Sequence, residues 1–273
     1  MNLRKIYDMA PWDWPEDTGR VFKHILDDRS ADQSDRLLAV EMAGNFVVIN
    51  DELAKTLLAV ACNNDETEKL RVRAVISLGP ALEHADIYEF DDPEDIVLSE
   101  EAFREIQVSL KKIYHDAGIP KEVRRRTLEA AVRAPQEWHL NALRAAYASD
   151  DEDWHLTAVF CMRFIKGFEP QILESLESVN PDIRYQAVCG AGNWGIKKAW
   201  PHVAGLLDSG NDDRSLLLAA IDAAASIDLP EAKEYLGRLL DSDDDDIIDA
   251  VSEALTIMGV SLFGDEYEKD NDW

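Results

Sequence analysis

The sequence predicts an all-α fold, an α-α superhelix of about seven helix pairs, and three observations carry that prediction. The first is a repeated link. Leu206-Leu207-Asp208-Ser209-Gly210-Asn211-Asp212-Asp213 returns thirty-three residues later as Leu239-Leu240-Asp241-Ser242-Asp243-Asp244-Asp245-Asp246, with six of eight positions identical. Self-similarity at such a period marks an array of units that bury their apolar faces on one another. The second is an alanine followed five residues later by glycine, as in Ala39 and Gly44, Ala74 and Gly79, Ala187 and Gly192, Ala254 and Gly259. The third is apolar spacing at three- and four-residue steps, for example Leu53, Leu57, Leu58 and Ala61, with no sustained strand-like alternation.

Taken in chain order, the alanine positions are 39, 74, 130, 158, 187, 220 and 254, spaced by 35, 56, 28, 29, 33 and 34. Ala130 has Pro135 where a glycine is expected, and Ala158 and Ala220 keep only the small residue. Each alanine belongs on the second helix of a pair, where a small side chain admits a neighbouring backbone. The glycine is expected to supply the left-handed residue that ends that helix. First helices are expected to open on proline, as at Pro170, Pro201 and Pro230. Short links such as Asn180-Pro181-Asp182 and Asp212-Asp213 then cap the second helices. Pro11-Trp12-Asp13-Trp14-Pro15 reads as a cap over the open end of the array. The whole chain, 1–273, reads as one repeat domain with an acidic insertion near 80–101 and an acidic tail at 261–273.

Two segments discriminate among helical-pair repeats. Leu70-Arg71-Val72-Arg73-Ala74-Val75-Ile76-Ser77-Leu78-Gly79 and Asn180-Pro181-Asp182-Ile183-Arg184-Tyr185-Gln186-Ala187-Val188-Cys189-Gly190-Ala191-Gly192 both resemble the HEAT repeat. The likeness is to the short variety associated with phycobilisome lyases: an Asp, then Val-Arg, then Ala, then Gly on the second helix. It covers most of residues 15–260. The tetratricopeptide and ankyrin signatures are missing. The resemblance implies a right-handed stack whose second helices line a concave, protein-binding groove, and it fixes no activity. The diiron HEAT protein deoxyhypusine hydroxylase uses His-Glu dyads, and this chain has none. A lyase role rests on repeat similarity without a residue-level match.

Composition narrows the partners. Fifty-five acids stand against 28 Lys and Arg, a net charge of −27 that repels phosphate backbones overall and makes nucleic acid a poor partner; it reads first as solubility through self-repulsion and, more sharply, as a match for a basic protein. Three isolated cysteines, Cys62, Cys161 and Cys189, suit a reducing compartment, and neither a signal peptide nor a bilayer-length apolar run is present. A cytoplasmic protein without membrane contact is the expectation; oligomeric state is not readable.

Function is sought where repetition lapses. Residues 83–101 hold nine acids and no Lys or Arg, and residues 111–133 follow with a net of +4, including Arg124, Arg125 and Arg126. That island could grip phosphate, or it could be matched internally by acids of neighbouring repeats. Glu137-Trp138-His139-Leu140 is echoed by Asp153-Trp154-His155-Leu156, one copy on each helix of the fourth pair. Trp138, His139, Trp154 and His155 could line a cleft, or the indoles could pack while the imidazoles cap or face water. HEAT-like DNA glycosylases hold DNA in a basic groove with tryptophans, parts that Trp138, Trp154, Trp194 and Arg124–Arg126 could take. No metal site is expected: no H-E-x-x-H occurs, and Asp241, Asp243 and Asp245 lack the Gly and Glu of a calcium loop. No cofactor is expected either, since P-loop, G-x-G-x-x-G and G-x-S-x-G motifs are missing. The leading expectation is a non-enzymatic protein-binding scaffold or adaptor. The alternative is a nucleic-acid-binding or base-repair protein using 111–133.

Overall fold

The computed structural model describes residues 3–90, 96–208 and 213–260. Two compact units divide the chain, 1–146 and 147–273. Every long element among the described residues is an α-helix.

In the first unit, α1 (Leu3–Tyr7) precedes three antiparallel pairs: α2 (Thr18–Asp27) with α3 (Gln33–Met42), α4 (Asp51–Cys62) with α5 (Glu68–Tyr88), and α6 (Glu100–His115) with α7 (Lys121–Ala131). α8 (Glu137–Tyr147) follows them. α2 packs on α4 and α4 on α6, while α3 packs on α5 and α5 on α7, so first and second helices form two layers. α1 packs on α3, burying Leu3 and Ile6. The Trp14 indole, donating to the Ile6 carbonyl at 3.0 Å, meets Phe22 edge-on at 5.6 Å.

The second unit repeats the scheme with α9 (Glu152–Cys161), α10 (Glu169–Ser175), α11 (Pro181–Asn193), α12 (Trp200–Asp208), α13 (Arg214–Ile227), α14 (Ala232–Arg238) and α15 (Asp245–Ile257). α9, α11, α13 and α15 form the second-helix row; α10, α12 and α14 cover it. All seven repeat alanines, Ala39, Ala74, Ala130, Ala158, Ala187, Ala220 and Ala254, are buried on second helices. Helix starts follow local chemistry: Asp32, Thr67, Asp151, Asn180, Asp213 and Asp244 each accept a backbone N–H of the first turn of a second helix.

The glycines act differently from the sequence expectation. Of the four paired with an alanine, only Gly259 has a left-handed backbone, at φ 75°. The others stand where the next second helix comes close. A Cβ on Gly44 would lie 2.9 Å from Ser77 Cα, on Gly192 2.9 Å from Ala223 Cα, and on Gly79 2.9 Å from Arg133 Cδ. Gly79 does not end α5, which runs on through Pro80 to Tyr88. That extension supplies part of the 56-residue spacing; residues 91–95 of the acidic insertion lie outside the described residues, as does the tail at 261–273. Pro230 precedes α14 by two residues rather than opening it, whereas Pro170 and Pro201 sit in the first turns of α10 and α12.

The repeated link also slips. By the 33-residue period Asp213 corresponds to Asp246, yet the second cap is Asp244, because α12 continues to Asp208 whereas α14 stops at Arg238 and gives way to a 3-10 turn at Leu239–Asp241. Arg214 answers the surplus acids, pairing with Asp244 at 2.7 Å and with Asp246. Residues 209–212 of the first copy lie outside the described residues.

Candidate functional site

Most arginines on the second helices build the fold. Arg36, Arg71 and Arg124 each donate to a carbonyl ten residues earlier, Leu26, Ala61 and Tyr114, at 3.0, 2.9 and 2.9 Å. Each acceptor sits in the last turn of the paired first helix, where carbonyls lack intrahelical partners. Arg36 also clasps Glu66 through two bonds of 2.7 and 2.8 Å, with both side chains almost wholly buried. The hydrogen bond from Arg36 is the main cause holding the Glu66 carboxyl below its ordinary range. The Arg of the Val-Arg pattern is thus a bolt within and between pairs.

The arginines of the basic segment are matched inside the first unit. Arg124 lies over the Tyr114 ring, 5.8 Å from its centroid. Arg125 is 3% exposed and bonds Glu122 at 2.7 Å, while Arg126 bonds Glu122 and Glu129 at 2.8 and 2.7 Å. Arg133 pairs with Glu83, tying the extension of α5 to the end of α7.

The Trp-His copies open α8 and α9. His139 is fully buried, and its Nδ1 accepts the Gln136 N–H at 2.8 Å, standing in for the Glu of a capping box. Burial is the main cause lowering its pKa to about 4, so the ring is neutral near pH 7. Trp138 donates to Gln136 Oε1 at 2.7 Å and packs against Tyr114, His115 and His139 at 5.2, 5.3 and 3.9 Å. Its unit therefore uses it inside an aromatic cluster. In the second unit Trp154 is half-buried, His155 stacks on Tyr147 at 4.4 Å, and Trp194 donates to the Met162 carbonyl at 2.7 Å.

Three open clefts were not singled out by sequence. In the first unit a groove of about 510 Å³ runs between the N-terminal segment, the end of α3 and the middle of α5. Tyr7, Met9, Trp14, Met42 and Ile76 give it apolar walls, and Arg73 and Glu41 stand on its rim, 4.0 Å apart. Tyr7 and Ile76 remain 59% and 40% exposed, and Phe46, Val47 and Trp12 add exposed apolar surface on the same unit. In the second unit a cleft of about 390 Å³ lies along α11, α13 and α15, and another of about 380 Å³ lies among the turns after α9 and α11. Among the described residues no group of three or more His, Cys, Asp or Glu is arranged to hold a metal, and no helix is long and apolar enough to cross a membrane.

Residues 169–256, from α10 to α15, match the family model for HEAT repeats. No curated protein matches the chain. Among solved structures, the chain is similar to the Escherichia coli protein YibA at 16% identity and TM-score 0.48, over 96% of this chain and 93% of that one. Human deoxyhypusine hydroxylase in complex with glycerol gives 15% identity and TM-score 0.40, over 88% and 96%. Kap121p bound to Pho4p gives 13% identity and TM-score 0.49, over 89% of this chain and 27% of that one.

Proposed function

With a HEAT-repeat solenoid fold as the premise, we propose that the chain is a non-enzymatic protein-binding scaffold. The observation that carries the reading is the apolar groove of the first unit, where Tyr7, Met9 and Ile76 stay exposed. Contiguous exposed apolar surface is costly in water and marks docking surfaces. Aromatic and Met side chains around a groove are the anchors from which protein interfaces gain most of their energy. The net charge of −27 favours a partner with a basic surface and speeds its approach.

The test is capture of a partner from the native host by the parent chain and by Ile76→Asp, which places a charge on an exposed position of the groove. A stoichiometric protein lost with Ile76→Asp supports the reading. Failure of any protein to enrich, alongside turnover of a defined substrate, refutes it. Nucleic acid is the other outcome: salt-sensitive DNA or RNA binding, weakened when Arg124, Arg125 and Arg126 become Ala together, would replace the scaffold with the basic-segment reading.

A further inference from the structure

Arg163, just beyond α9, is unlike the arginines described above. Its Nη1 donates to a neutral acceptor, Gln186 Oε1, at 2.9 Å, its Nε is buried without an acceptor, and among the described residues no carboxylate lies in ion-pair range. The Phe160 and Phe164 rings, 5.5 Å apart, both lie beside the guanidinium, with centroids at 5.6 and 6.0 Å. It lines the 390 Å³ cleft. A half-buried guanidinium with one neutral protein partner keeps donors open to the cleft, and a planar fork of donors fits a carboxylate.

The neighbouring turns extend this cationic edge. Lys166 lies over the Trp194 ring at 5.5 Å, and with Lys197 it lines the 380 Å³ cleft; both lysines are exposed. The two turns are held together by Asn193 donating to the Arg163 carbonyl at 3.2 Å and by Trp194 donating to Met162. The first cleft is also lined by Asp222, whose carboxyl is pushed up first by burial and then by Glu253.

We infer that this edge of the second unit recognises an acidic, aromatic-containing peptide segment of a partner protein, with a carboxylate on Arg163, a second near Lys166 and Lys197, and a ring on Trp194. The inference rests on the protein-binding reading and names the chemistry of one segment. On a chain of net charge −27 such an edge is selective, because an acidic segment is repelled elsewhere.

The experiment is fluorescence anisotropy of the full chain with a dye-labelled peptide of Glu, Phe and Ser residues, beside its isosteric Gln version. The Glu peptide should bind about tenfold tighter or better. Arg163→Gln should erase that preference, and the exposed changes Lys166→Gln and Lys197→Gln should each weaken binding about threefold. Because Arg163→Gln could disturb packing on Phe160, its thermal melt is compared with the parent, and the two lysine variants test the edge independently. Equal binding of Glu and Gln peptides overturns the inference, as does an unchanged preference in Arg163→Gln and both lysine variants. So does stronger binding of a labelled single-stranded oligonucleotide at the same residues. A gain of about tenfold on changing Asp265, Glu266 and Glu268 to amides would assign the edge to this chain's own tail and also overturn it. A host partner still captured by Arg163→Gln but lost with Ile76→Asp would remove the carboxylate site and leave the scaffold standing.

Discussion

Replacing Gly44 by alanine isolates the contact on which the stacking of repeats depends. Gly44 is buried against the backbone of Ser77 on the next second helix, and an added Cβ would stand 2.8 Å from Ser77 Cβ and 2.9 Å from Ser77 Cα. The Ser77 carbonyl oxygen is nearer still and ordinary contact begins near 3.4 Å, so the two repeats must part by about 1 Å, enough to forfeit roughly half of the local dispersion attraction. The same opening strains the buried bond from Ser77 Oγ to the Val40 carbonyl, now 2.8 Å. Overpacking costs about 1–3 kcal/mol and a strained buried hydrogen bond about 1. Loss of glycine's freedom in the unfolded chain offsets about 0.4–1 kcal/mol. The net is a destabilisation of about 2–3 kcal/mol, or a fall in Tm on the order of 5–10 °C. Urea denaturation followed by far-UV circular dichroism measures it, with Gly205→Ala as the control. Gly205 lies inside α12 with nothing near its missing Cβ, so that change should stabilise by about 0.5–1 kcal/mol through helix propensity. Equal effects of the two substitutions, or stabilisation by Gly44→Ala, would refute the close-approach argument.

Glu66→Ala leaves the buried Arg36 guanidinium without its carboxylate and should cost about 3–5 kcal/mol in the same urea assay. Because the folded Glu66 carboxyl titrates below its unfolded value, that contribution is present above the unfolded carboxylate range and is lost as pH falls through the folded value. His139 bends stability the same way: its pKa falls from 6.5 unfolded to about 4 folded, so acidification from about pH 6.5 to 4 should remove about 3 kcal/mol. His139→Gln, which retains an acceptor for the Gln136 N–H, should flatten that limb in a pH series of urea melts. Arg125→Ala should destabilise by about 1–3 kcal/mol, since it empties a buried position and strips Glu122 of a partner, while leaving oligonucleotide binding at low salt unchanged from the parent.

The helix pairs were legible because burial and capping are local. Seven alanines at helical positions and Asp, Asn or Thr before each second helix but α7 write the pairs into the chain. What glycine does was not legible. Gly44, Gly79 and Gly192 look like helix stops, but whether a glycine turns a chain or admits a neighbour depends on a helix thirty or more residues away. Pro80 illustrates the limit, since α5 runs through it. At the Trp-His echo the sequence placed both copies on α8 and α9, but the solvent-free setting of His139 follows from its bond to Gln136 and its packing on Trp138. The apolar groove draws Tyr7 and Met9 from the N-terminal segment and Ile76 from α5, too far apart in sequence to read as one surface. Arg163 gave no signal at all: an unanswered guanidinium looks, in sequence, like the answered ones.

The scaffold reading meets its most direct test in quantitative mass spectrometry of proteins captured from the native host by the parent chain, Ile76→Asp and Gly205→Ala. The account predicts one partner recovered in stoichiometric amount with the parent and with Gly205→Ala, and lost with Ile76→Asp. Recovery of no protein by the parent, or equal recovery by all three chains, would contradict it.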